Sequence, residues 1–163
     1  YNKEAVIAAC QKALEHSDSK YEISQHRPDG FYSSRKWMVY MIIGAAWGEH
    51  HWKITVKDVP GGAEAEVKAW LGDSVSAGPF PVPFKGKTED EPYISPSLYN
   101  LFFARVEYFL GLRKDWATCE EMEKHFHPNE IGNVLEPLCT LANSTDPTNP
   151  KPTETPVEYT GGN

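Results

Sequence analysis

The chain has 163 residues, 40% hydrophobic and 24% charged, with a formal charge of −7. That is long enough for one domain that folds without help from metal or disulfide. The acidity and the scatter of basic residues exclude the basic stripe of a nucleic-acid binder. The longest apolar run, residues 37–47, is about half of the roughly 20 residues a spanning helix needs, so no membrane span is expected.

The N-terminal residues do not read as a signal peptide, and the chain opens on Tyr1, which leaves the compartment open. The three cysteines, Cys10, Cys119 and Cys139, argue against a disulfide framework. One bridge, Cys119–Cys139, competes with a reading of three buried thiols.

In chain order, residues 2–16 predict a helix capped by Asn2, with Val6, Cys10, Ala13 and Leu14 on one face. Residues 20–25 predict a short strand with Tyr21 and Ile23 on one side. RPDGFYSS (27–34) reads as a turn by its Pro-Asp-Gly.

Trp52, Ile54 and Val56 alternate with Lys53, Thr55 and Lys57, the period of a half-buried strand. The preceding WMVYMIIGAAW is rich in β-branched and aromatic residues and reads as a strand too. Pairing Trp47 with Trp52 places Ala45 opposite Ile54 and Ile43 opposite Val56, an all-apolar register. Gly48-Glu49-His50-His51 then forms a four-residue hairpin loop.

Residues 63–73, AEAEVKAWLGD, predict a short helix. The stretch 78–96 holds five of the thirteen prolines and reads as an extended loop, within which FPVPF has the composition of a docking segment. Ser95 and Pro96 open a core helix through residue 112. Thr118 and Glu121 read as a capping box opening a helix to about Phe126. A last helix is expected over roughly 129–142, kinked at Pro137. From Asn143 the composition turns to Pro and Thr, an extended tail.

Two histidine pairs carry the chemistry that the sequence suggests. Glu49, His50 and His51 together with His125, His127 and Glu130 are a mixed imidazole and carboxylate set of the kind zinc and non-haem iron accept. Their spacing matches no established metal motif, and the favoured reading is a polar hairpin tip and a polar helix-to-helix turn. Trp37, Tyr40, Trp47, Trp52 and Trp70 are candidates to line a small-molecule pocket. Asn143-Ser144-Thr145 is an N-glycosylation sequon. With the stalk-like tail it points to a secreted or surface-exposed protein.

The expected fold is α+β: a small antiparallel sheet around the 37–59 hairpin packed on about five helices. One globular domain over 1–142 carries a tail, 143–163. The expected core includes Val39, Ile43, Ile54, Val56, Trp70, Phe102, Val106, Phe109, Val134 and Leu138. No catalytic motif is present, so the leading functional reading is a non-enzymatic interaction or structural subunit. Its tail and Pro-rich loop would bind a protein partner or a second copy. The alternatives are a small His/Glu enzyme, possibly metal-dependent, and an aromatic-lined binder.

Overall fold

A computed structural model describes residues 1–41, 44–77, 80–126, 130 and 132–139. One five-stranded antiparallel sheet dominates, in the order β1-β2-β3-β4-β5. Its strands are β1 (Glu22–Arg27), β2 (Gly30–Met41), β3 (Gly44–Val59), β4 (Gly62–Ala77) and β5 (Pro81–Phe84). Helix α1 (Lys3–Ser17) precedes the sheet. Helices α2 (Pro96–Phe109) and α3 (Cys119–Glu123) and a 3-10 turn at Gly132–Leu135 follow it. Among the described residues, no helix is long and apolar enough to cross a membrane.

This corrects the expected small sheet on about five helices. The largest error lies at residues 63–73, which belong to β4 and not to a helix. Ala, Glu and Lys favour helix, yet Ala63, Ala65, Val67 and Ala69 recur at every second position. Pairing along β3, from Val59↔Gly62 to Ala45↔Ala77, uses that period and overrides propensity. The turn between these strands is Pro60-Gly61, with Gly61 at φ +90°, where a side chain would be strained.

A second correction concerns WGEHHW. β3 runs through it without a break, so Gly48–His51 is mid-strand and not a hairpin loop. Met38, not Trp52, lies opposite Trp47. The turn expected over 27–34 is confined to Pro28-Asp29, and β2 starts at Gly30. Of the last expected helix, the described part is Glu130, which is not helical, and the 3-10 turn followed by a further turn and a bend at Cys139. The tail, 143–163, lies outside the described residues.

The helix ends follow their capping residues. Asn2 accepts from the Ala5 N–H at 2.9 Å and Ser95 from the Leu98 N–H at 3.2 Å. Pro96 begins α2, where a missing N–H costs nothing. Thr118 accepts from Glu121 N at 3.1 Å, the N-cap half of a capping box, while the Glu121 carboxylate pairs with Arg113, and α3 ends at Glu123 and not near Phe126.

The core lies between one face of the sheet and α1 with α2. Trp52, Ile54 and Val56 are fully buried there, and Trp52 stacks on Phe102 at 5.1 Å. Of the expected core, Trp70, Phe102, Val106, Phe109 and Leu138 are also buried, and Val39 and Val134 are half-buried. Ile43 lies outside the described residues.

Candidate functional site

Strand alternation sends successive residues to opposite faces, so β3 separates its two histidines. His50 joins Trp52 and Ile54 on the helix-covered face, while His51 lies on the other with Trp70 and Tyr32.

On the covered face the centre is Arg35, whose side chain is fully buried. Its guanidinium donates to Asp18 Oδ2 at 2.9 Å, to Glu136 Oε1 at 3.1 Å and to the Glu136 carbonyl at 2.9 Å. It also lies 2.8 Å from His50 Nδ1. A guanidinium only donates, so Nδ1 accepts and the imidazole proton sits on Nε2. Burial first, and then Arg35, pull the His50 pKa down to about 3. The imidazole is therefore neutral at any physiological pH. Trp37 stacks on it at 6.0 Å and the edge of Tyr93 meets it at 6.4 Å. Burial also raises the Tyr93 phenol.

Gly48 explains the glycine of WGEHHW. The Trp37 ring lies over it, and a Cβ there would come within 2.8 Å of that ring and 2.9 Å of Ser74.

The same neighbourhood holds the last described residues. Arg35 donates to the carbonyl of residue 136, Tyr21 Oη to that of 137, and Arg105 to that of 138 at 2.9 Å. Cys119 and Cys139 are joined by a disulfide. Arg105 is fully buried, donates also to Ser17 Oγ at 2.6 Å and lies over the Trp116 ring. Burial lowers its pKa to about 9, which still leaves it cationic at neutral pH. Cys10 is a free thiol that burial pushes up to about 12, so it is no nucleophile at neutral pH.

On the opposite face, Tyr32, His51 and Trp70 form a ring triangle with centroids 5.5–5.9 Å apart. Tyr32 Oη hydrogen-bonds His51 Nδ1, and Glu49 lies 4.0 Å from His51 Nε2. Burial lowers the His51 pKa, against the pull of Glu49 and Asp73. Trp70 is buried under these rings even though it lies outside the main core.

The candidate residues are therefore dispersed. Glu130 accepts from Ser97 N at 3.1 Å and from the hydroxyls of Ser95 and Ser97, which ties it to the start of α2. His125 follows α3, and His127 and Asn143 lie outside the described residues. Among the described residues, no group of three or more His, Cys, Asp or Glu is placed to hold a metal ion. The five aromatic candidates are likewise split: Trp37 and Trp52 face the helices, whereas Tyr40, Trp47 and Trp70 face away.

The feature that stands out is the far end of the sheet, formed by residues 38–41, 44–47, 74–77 and 80–84. Met38, Tyr40, Trp47, Phe80, Val82 and Phe84 are all exposed there, Tyr40 by 77% and Phe80 by 81%. They are six of the nine large apolar side chains exposed among the described residues. Sequence reasoning found the apolar run 37–47 and FPVPF separately. Only the register Met38↔Trp47↔Val75↔Pro83 brings them together.

Reasoning from sequence missed Arg35, Asp18, Tyr21 and Glu136. Arg35 next to Lys36 reads as a solvated basic pair. Its one signal is the period-two series Phe31, Ser33, Arg35, Trp37, hidden when 27–34 is taken as a turn. No family model, curated protein or solved structure matches the chain.

Proposed function

We propose that this protein is a non-enzymatic association module. Its working surface is the bare sheet end together with the FPVPF edge strand β5. One observation carries the reading: among the described residues, two thirds of the exposed large apolar side chains crowd into this single region. Soluble proteins rarely leave such a patch uncovered unless something docks on it. The Pro/Thr-rich tail, 143–163, is a second contact in this reading.

The disulfide supports an oxidising compartment, and so a secreted or surface-exposed protein, because cytosolic thiols are kept reduced. Asn143 is then a glycosylation acceptor.

The test compares the whole chain with the Tyr40→Ser, Phe84→Ser double variant. The variant should lose retention on a phenyl matrix, and any self-association seen by sedimentation velocity, while its thermal midpoint holds. Removing residues 143–163 should weaken association further. Equal retention and equal sedimentation of parent and double variant would refute the reading.

A further inference from the structure

We infer that the partner of the bare sheet end is a lipid surface, into which the strand ends insert at the level of the interface. The inference rests on the association reading and names its partner.

The first ground is that both faces of this region are apolar and exposed. Met38, Tyr40 and Trp47 lie on one face, with exposures of 40%, 77% and 39%. Gly48, Trp37 and Ser74 meet on the other face, which fixes its identity. By the register Ser74↔Phe84 and Ser76↔Val82, Phe84 and Val82 belong to that second face, exposed by 53% and 49%. A protein surface covers one face of a sheet. A lipid medium surrounds both.

The second ground is charge placement. The sequence carries no Asp, Glu, Lys or Arg between Lys36 and Glu49, nor between Asp73 and Lys85. The charge-free length from Lys36 to Tyr40 is about 13 Å of strand, enough to reach the acyl region and far short of crossing it. Lys36, Lys85 and Lys87 stand exposed at the root of this zone, and among the described residues none is in an ion pair. Lipid phosphates are natural acceptors at that level. Trp and Tyr are the residues enriched at bilayer interfaces, since each has an apolar ring and a polar edge.

The third ground concerns the strand edge. Pro81 and Pro83 have no N–H, and alternate residues of a strand point to the same edge, so one edge of β5 lacks donors. This disfavours strand addition by a second polypeptide. With a chain charge of −7, attraction to anionic lipid contributes little, and binding should depend on apolar burial.

The experiment is flotation of the whole chain with phosphatidylcholine vesicles at low and high salt, with tryptophan emission recorded alongside. The protein should float with the vesicles at both salt levels. Emission should shift to the blue, and Trp47→Phe should remove most of the shift. The Tyr40→Ser, Phe84→Ser variant should lower partitioning by about tenfold or more, from lost apolar burial. Far-UV circular dichroism and the intact disulfide establish that the variant is folded.

Absence of flotation would overturn the inference, as would flotation unchanged in the double variant. Flotation confined to anionic vesicles and lost at high salt would also overturn it. Self-association that the double variant abolishes, without flotation, would move the partner to protein. The association reading would then survive and the lipid assignment would not.

Discussion

Strands β2, β3 and β4 join two regions of unlike chemistry. Over the middle of the sheet, where Arg35 pairs with His50, two buried arginines, Tyr21 and a disulfide hold residues 136–139 against the sheet and α2. Toward the end of the sheet at Met41 and Gly44, Met38, Tyr40, Trp47, Val82 and Phe84 stand exposed on both faces. The same backbone ladder supports both, so backbone hydrogen bonding does not distinguish them. Side-chain burial does. Stability is concentrated where the buried arginines bind carboxylates and carbonyls, and the association surface we propose lies where large apolar side chains are exposed. A substitution in the fastened middle should therefore cost folding, and one at the exposed end should cost association.

The largest expected effect comes from Arg35→Ala. It strands Asp18 and Glu136 without their shared cation and should destabilise by about 3–5 kcal/mol. Urea denaturation measures this, and a loss below 1 kcal/mol would erase the contrast between the two regions. The double variant Cys119→Ser, Cys139→Ser comes next. Opening a loop with a sequence separation of 20 residues should cost about 3 kcal/mol in the chain-entropy account. Both figures should far exceed the effect of Tyr40→Ser and Phe84→Ser, expected to lie within about 0.5 kcal/mol each, as is usual for exposed sites.

The most specific effect is a pH slope. Burial holds the His50 pKa at about 3 in the folded chain, against about 6.5 unfolded. As pH falls, the unfolded chain takes up the proton first. The stability from neutral His50 is therefore complete above pH 6.5 and is lost progressively toward pH 3. Between pH 6.5 and 5, before most carboxylates titrate, the parent should lose stability with a slope from this site of up to about 1.4 kcal/mol per pH unit. His50→Gln should lack that component, and identical slopes would show that the imidazole is not held neutral.

Part of the fold is legible in local pattern. Helices α1 and α2 follow from apolar faces at helical spacing and from Asn2 and Ser95 at their starts. The inner face of β3 follows from Trp52, Ile54 and Val56. β4 is harder because its residues are helix formers. Their alternation has meaning only once β3 stands beside it. WGEHHW misleads for a similar reason. Two histidines between tryptophans resemble a loop or a site, and only a strand running on to Val59 sends them to opposite faces.

Sequence by itself determined the capped helices, the strand centred on Trp52, the apolar run 37–47 and the absence of a basic stripe. Each rests on interactions a few residues long, or on composition alone. Tertiary structure alone decided that Arg35 is buried, that His50 is neutral, that Cys119 meets Cys139 and that Tyr40 and FPVPF share one sheet end. Those outcomes depend on which strands pair, and pairing is set by burial summed over the whole sheet. No single stretch of sequence carries that sum.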